Sequence, residues 1–487
     1  MASLEELRAT RLEKLNLLKS KGLNPYPAGT ARDHSVIDVI SDFDALTASG
    51  KELTLAGRVL SLRPQGAITF FNVYDGTGKF QGLLKKGEKV SDADFDLFET
   101  TVDIGDFVEI TGTLFVTKRG EKTLQVSGWK MLTKSLRPLP EKWHGLQDED
   151  EKFRRRYLDI LFNEEVRDMF VKRSKFWSSM RDFLVKKGFM EVETPVLENT
   201  AGGADAKPFV THHNALDMDV FLRISPELWL KRLMVAGFPK VFEIGRIFRN
   251  EGMDPEHAQD YSQMEFYWAY TDFNHGMEVV KEMYRYIAQE TFGTQKFTIK
   301  GFEVDLEKEW EVYDYTKTIL EKTGVDISKA TFEEIVEKLK TLKVEFDTKG
   351  FNLTRAIDTL WKYCRKQMGG PGFLINVPVF MEPLAKRSEK NPELVERFQV
   401  ILAGSEMGKG FSELNDPIDQ AGRFADQTKL REAGDEEAQM YDYDFVEALE
   451  YGMPPTCGFG VSERLFSFLM NKPVRECQLF PLMKPKK

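Results

Sequence analysis

Between residues 53 and 133, apolar and polar positions alternate in short runs: LTLAGRVLSLRP, ITFFNVYDGTGKFQGLL and DFVEITGTLFVTKRGEKTLQVSGWKML. A period of two marks strands with one buried face. Asp75-Gly76 and Arg119-Gly120 supply hairpin turns. Five or so strands, with one helix near 91–101, predict an OB-fold type of β-barrel, although hydrophobic spacing alone fits other small barrels as well. Residues 1–50 predict a helical extension, in which Leu4, Leu7, Leu12 and Leu15 fall at near-helical spacing. The barrel is expected over 51–136, a Pro-containing, charge-dense linker over 137–163, and a larger domain over 164–487.

In that larger domain the apolar period lengthens. Met169, Phe170, Phe176, Trp177, Met180, Phe183 and Leu184 form one face of a helix over 166–188, ending at Gly188. A strand through Met190, Val192 and Thr194 should stop at Pro195. Residues 241–249 and 263–270 predict two more strands around a polar loop, Asn250–Ser262. Glu243 and Arg249 would share one face, and Glu265 and Tyr267 a face of the return strand. Arginine at a strand end, opposite an acidic-aromatic pair, suits a phosphate and a cation; a hairpin with solvated charges is the plainer reading. Ser225-Pro226-Glu227 predicts a helix start with serine as cap. Residues 273–372 read as helical support for a sheet.

At 487 residues the chain needs two or three cores. With 41% hydrophobic and 30% charged residues it has globular composition. No apolar run approaches a membrane span, and the charged N-terminus has no signal-peptide core. Cys364, Cys457 and Cys477 are scattered, and the histidines form no ligand-spaced cluster. Disulfides and structural zinc are therefore not expected, and a reducing, cytoplasmic setting is. The net charge of −10 runs against general nucleic-acid affinity. Arg8, Arg11, Lys14, Lys19 and Lys21 offer either a local basic stripe or an ordinary solvated face.

The sequence FRNEG, followed by the aromatic-rich strand ending WAY, resembles motif 2 of the class II aminoacyl-tRNA synthetases, here near 241–270. The helix, strand and Pro195 near 176–195 resemble motif 1, a dimer-interface element. The run YGMPPTCGFGVSERLFSFL resembles motif 3, near 458–470. Together with GFSELND (Gly410–Asp416) these stretches are most similar to the lysyl branch of that class. The resemblance runs nearly end to end. It implies an α+β chain: an N-terminal OB-fold anticodon-binding barrel plus a class II antiparallel-sheet catalytic domain.

The same resemblance implies roles for individual residues. Arg249 would bridge the α-phosphate of ATP and the amino-acid carboxylate, with Glu251, His257, Tyr261, Glu406 and Arg464 also on the nucleotide. Gly203, Glu227, Glu265, Tyr267, Phe411 and Glu413 would hold lysine. Glu406 would bind Mg2+, with Gln399 in the position of its usual partner. Phe70 and Gln81 would contact the anticodon, core packing being the alternative for Phe70. The chain departs from the family pattern at Glu256, where arginine or another non-acidic residue is usual, at Lys409, where asparagine is usual, and near Gly128, where an acidic residue is missing. Gly458 and Gly460 would let backbone approach the nucleotide. Two carboxylates and aromatics around one cavity favour an ammonium group, which argues for lysine over aspartate or asparagine. The expected activity is lysine–tRNA ligation with ATP as co-substrate, by a homodimer, on tRNA(Lys), with no membrane partner. An aspartyl- or asparaginyl-type ligase, a protein-lysylating enzyme and a non-catalytic tRNA-binding paralogue are the alternatives.

Overall fold

A closed barrel is formed by β1 (Leu53–Gln65), β2 (Ile68–Tyr74), β3 (Lys79–Lys85), β4 (Phe107–Val116) and β5 (Lys122–Thr133), in spatial order β1-β2-β3-β5-β4. The computed structural model describes residues 3–140, 148–250, 252, 256–346 and 351–486, and the chain divides into two units after Glu149. Along β2, Thr69, Phe71 and Val73 are buried while Ile68, Phe70, Asn72 and Tyr74 face outward, half-buried. A one-residue slip would invert that arrangement, so the apolar alternation fixes the register. The helix Asp92–Thr101 is capped by Ser91 and sets Phe98 against Phe71, ring centroids 5.1 Å apart. Burying each such ring contributes about 1.5–3 kcal/mol.

The N-terminal helix α1 (Leu4–Ser20) buries Arg11, Leu15 and Leu18, while Leu4 and Leu7 are exposed. The expected leucine stripe is thus only half right, because Arg11 has structural work. Its guanidinium donates to Ile104 O at 2.9 Å and Ser135 Oγ at 2.5 Å, and Lys14 pairs with Asp103 at 2.7 Å. Two members of the basic run are therefore spent inside the unit.

In the second unit, helices begin at once, Glu149–Arg154 and Arg156–Phe162, so the stretch expected to be linker up to 163 is ordered well before that point. Helix α2 (Glu164–Lys186) follows, then β6 (Met190–Glu191), β7 (Lys240–Phe248), β8 (Asp260–Ala269), β9 (Glu311–Asp314), β10 (Gly372–Ile375), β11 (Arg397–Leu402), β12 (Ser405–Ser412) and β13 (Thr456–Ser462). They make one sheet in the order β9-β10-β11-β12-β13-β8-β7-β6, antiparallel apart from its two edge strands, which pair in parallel. The strand expected through Thr194 ends at Glu191. After Val192 donates to Phe242 O, the amide and hydroxyl of Thr194 donate to the Glu243 carboxylate instead, at 3.2 and 2.7 Å.

Successive residues of β7 and β8 enter different cores. Phe242 and Phe266 pack on one side of the sheet with Phe176, Phe398 and Phe459. Val241 and Tyr267 pack on the other with Leu230, Trp361 and Phe411. Period-two alternation on a sheet covered on both faces produces this division, and it puts Glu265 and Tyr267 on one face, where the phenol donates to the carboxylate at 3.0 Å.

Candidate active site

A cleft of about 400 Å³ opens over strands β8, β12 and β13. Every residue singled out for ATP, lysine or metal lines it, with one exception, Glu251, which lies outside the described residues. The cleft has two chemically distinct ends.

The deep end is acidic and buried. Glu265 accepts from Ser225 Oγ (2.8 Å), Gln263 Nε2 (2.6 Å) and Tyr267 Oη (3.0 Å). Burial, reinforced by the charge of Glu227, pushes its carboxyl up to about 7. Burial likewise holds the Tyr267 phenol neutral. Pro226, not Ser225, occupies the cap position of helix α3 (Glu227–Val235), although Ser225 Oγ still accepts from the Glu227 amide at 3.1 Å. One turn along that helix sits Lys231, which the sequence reading missed. Its ammonium lies 2.6 Å from Glu227 Oε1 and 2.5 Å from Glu413 Oε2. Burial opposes its charge, but the two carboxylates outweigh that and hold it protonated. The i, i+4 spacing of Glu227 and Lys231 was the available signal.

Glu413 is 1% exposed, and neither of its carboxylate oxygens has an aligned hydrogen-bond donor. Burial pushes its carboxyl upward against the pull of Lys231. A Cβ at Gly458 would come within 2.2 Å of Glu413 Oε1 and 2.6 Å of Tyr267 Cε1. Glycine there makes room for the pocket's own side chains, which differs from the expected nucleotide approach. Gly203 has φ +85°, and a Cβ on it would sit 2.9 Å from Glu227 Cβ, so it lets the preceding loop close over the helix start. Phe411 completes the wall, its ring centroid 5.3 Å from Lys231 Nζ.

The outer end is mixed in charge. Arg249 lies one residue past β7; its amide donates to Gln259 O at 2.9 Å and its guanidinium to Ile224 O at 3.3 Å. That guanidinium stands 5.7 Å from the centroid of Tyr261, within cation–π range. Glu243 does not join it, being paired with Arg223 at 2.6 Å. Arg464 begins helix α4 (Arg464–Leu469), donates to Glu406 O at 3.3 Å and pairs with Glu256. His257 is exposed at the rim. Glu406 accepts from Trp361 Nε1 at 2.6 Å; burial works against its charge, but Arg365 and Arg397 keep its carboxyl below the usual range. Gln399 accepts from Arg397, and Lys409 pairs with Glu382 at 3.2 Å.

On the barrel, Phe70 stands on the outer face, directly across from Arg63 on β1, while Phe71 fills the core. Gln81 accepts from Arg63 at 2.8 Å and donates to Thr123 Oγ1 at 2.9 Å. Phe70 is half-buried and lies outside the barrel's core cluster, which Phe71 joins.

An antiparallel sheet carrying an arginine-edged cleft, in a chain that also has a separate five-stranded barrel, defines a class of enzyme, and similarity to known proteins agrees. Residues 148–484 match the family described as tRNA synthetases class II (D, K and N), and residues 53–132 match the OB-fold nucleic acid binding domain; the chain belongs to the class II tRNA synthetases. Among individual proteins it is similar to the lysine–tRNA ligase of Thermotoga maritima, 43% identical over 99% of this chain and 97% of that protein. It is similar also to the lysine–tRNA ligases of Thermoanaerobacter pseudethanolicus (44%, covering 99% and 97%) and of Roseiflexus sp. RS-1 (43%, covering 99% of each).

Proposed function

We propose that the chain joins lysine to tRNA(Lys) in two ATP-dependent steps, and that Glu265 and Glu413 read the lysine side chain. The observation that carries the amino-acid choice is the excess of buried acid at the deep end of the cleft, where Glu227, Glu265 and Glu413 face a single base, Lys231. A buried carboxylate calls for a cation, and a second ammonium beside Lys231 satisfies it. The side chain of aspartate or asparagine would bring no cation to that excess. Glu227 and Gly203 would hold the α-amino group, and Tyr267 and Phe411 the aliphatic stem.

In the first step a lysine carboxylate oxygen attacks the α-phosphorus; the bond to the bridging oxygen breaks and pyrophosphate leaves. Arg249, with its planar fork, would hold the α-phosphate and the carboxylate together. Arg464 would neutralise the terminal phosphates, and Tyr261 and His257 would border the nucleotide. In the second step a hydroxyl of the terminal tRNA adenosine attacks the lysyl carbonyl, and AMP leaves. Positioning and charge neutralisation suffice, since no protein nucleophile is needed.

The donor set fits one magnesium ion better than two. Glu406 stays ionised, whereas Gln399 is a neutral amide already engaged by Arg397. Among the described residues, no group of three or more acidic, histidine or cysteine side chains is placed to hold a metal. A magnesium ion held by one carboxylate and substrate phosphates is ordinary, and would supply charge neutralisation on the phosphates.

We assign the anticodon to the barrel face around Phe70 and Gln81. A homodimer through motif 1 is supported by the exposed Val171, Val185, Met190, Val196 and Leu197 around that segment. A cytoplasmic location follows from the translation role; no helix among the described residues is long and apolar enough to cross a membrane. ATP–pyrophosphate exchange across the standard amino acids tests the central claim. Lysine alone should drive it strongly, and equal exchange with aspartate or asparagine overturns the assignment.

A further inference from the structure

Two cations at the mouth of the cleft converge on one carboxylate. Arg464 and Lys300 both pair with Glu256, and Lys300 Nζ reaches Ser405 Oγ at 3.3 Å. Lys300 comes from outside the motifs. It lies in the two-residue turn between strands Lys296–Ile299 and Phe302–Asp305, where Lys300 and Gly301 have φ +49° and +83°. A turn with both central residues left-handed favours asparagine, aspartate or glycine at its first position. Lysine there is held in an unfavourable conformation, and such outliers concentrate at functional sites. The tight turn also fixes the ammonium's point of origin. Burial works against the charge of Glu256, but Arg464 and Lys300 hold its carboxyl below the usual range. A side cavity of about 290 Å³ adjoins the cleft, shares Glu256 and Arg464 with it, and adds Lys300 and Lys472.

Two cations around one anion make a phosphate site with a carboxylate in it. We infer that Lys300 is a binding residue for the terminal phosphates of ATP and for pyrophosphate, and that Glu256 is an internal anion those phosphates displace. This rests on the nucleotide reading above. A phosphate brings more charge and more acceptor oxygens than a carboxylate, so it wins the contest for Arg464 and Lys300. The side cavity leaves room for the displaced Glu256 side chain. Glu256 thus sets the threshold for nucleotide entry, and Lys300 joins Arg464 in supplying positive charge around it.

The test uses the full chain and three variants. Lys300→Gln should raise KM for ATP and KM for pyrophosphate in exchange about tenfold each, with KM for lysine and Tm unchanged. Lys300→Arg should restore most of that loss. Glu256→Gln should lower KM for ATP about 3- to 10-fold, at an unchanged magnesium requirement. Unaltered ATP and pyrophosphate constants in Lys300→Gln overturn the inference. So does weaker ATP binding in Glu256→Gln with a raised magnesium requirement, which would make Glu256 a metal ligand. Calorimetric binding of ATP alone separates this from the amino-acid reading. ATP affinity that depends on Lys300, in a protein without lysine-driven exchange, would remove the lysine assignment and leave the phosphate site standing.

Discussion

The two ends of the cleft handle charge in opposite ways. At the deep end Glu227, Lys231, Glu265 and Glu413 are all buried, held by β8, the end of β12 and one helix turn, with three acids against one base. At the mouth Arg249, Arg464, Lys300 and Glu256 are partly exposed and come from a strand end, a helix start, a hairpin turn and a loop. Low solvation makes each charge at the deep end costly, so that end discriminates among ligands. Partial solvation at the mouth lets partners exchange, which suits a nucleotide that must enter and a pyrophosphate that must leave. Selectivity and turnover are assigned to different dielectric surroundings within one cleft.

The largest expected effect tests the deep end. Glu265→Gln removes one of the two carboxylates facing the substrate ammonium and should reduce kcat/KM for lysine by up to about 1,000-fold, and by at least about 10-fold. KM for ATP should hardly move. A variant that loses ATP and lysine equally would erase the division between the ends. At the mouth, Arg249→Lys keeps the charge and loses the fork. We expect at least about a 100-fold loss in adenylate formation, with folding and tRNA affinity nearly unchanged. Near-normal exchange by that variant would remove Arg249 from the chemistry.

The deep end was largely legible in the sequence because strands announce themselves by alternation. Once β8 is recognised, Glu265 and Tyr267 are placed by counting. Lys231 was missed because PELWLK reads as an ordinary amphipathic turn; only the fold reveals that the helix points inward. At the mouth, legibility failed for a different reason. Lys300 and Trp361 lie in a stretch read as mere support, and they reach Glu256 and Glu406 across 44 and 45 residues of sequence. Long-range side-chain pairing leaves no periodic trace. The strand expected through Thr194 failed for a related reason, since Glu243 captures its amide and hydroxyl, a tertiary contact that propensity cannot foresee. Phe70 and Phe71 show the limit most sharply: adjacent, identical residues whose faces only the register of β2 distinguishes.

The barrel provides a third variant, lying outside the cleft altogether. Phe70→Ala should weaken tRNA binding by about 1–3 kcal/mol, as for a lost base–aromatic stack. Both ends of the cleft should keep their normal kinetics in pyrophosphate exchange, and Tm should stay close to wild type because the ring is outside the core. A large fall in Tm with unchanged tRNA affinity would return Phe70 to a packing role.

The smallest effect is the most specific to the deep end, because only a buried carboxyl can produce it. Burial and Glu227 raise the Glu265 carboxyl to about 7, so in the ligand-free protein it is half protonated near neutrality. A lysine ammonium binds the ionised form. Below that value affinity should fall by up to about tenfold per pH unit; above it, affinity should level off. Calorimetric Kd values for lysine at about pH 6 and pH 8 should therefore differ by about tenfold, with proton release on binding near neutrality. The sign for folding is opposite. A carboxyl whose folded pKa is raised contributes stability at low pH that is lost as pH rises through 7, because an uncompensated buried charge forms. Bound lysine offsets that loss, so its stabilising shift in Tm should grow from pH 6 to pH 8. Glu265→Gln should flatten both dependences, whereas Arg249→Lys should leave them intact. A lysine Kd that is flat across this range would mean that Glu265 is ionised before lysine arrives, and the low-dielectric account of selectivity at the deep end would lose its basis.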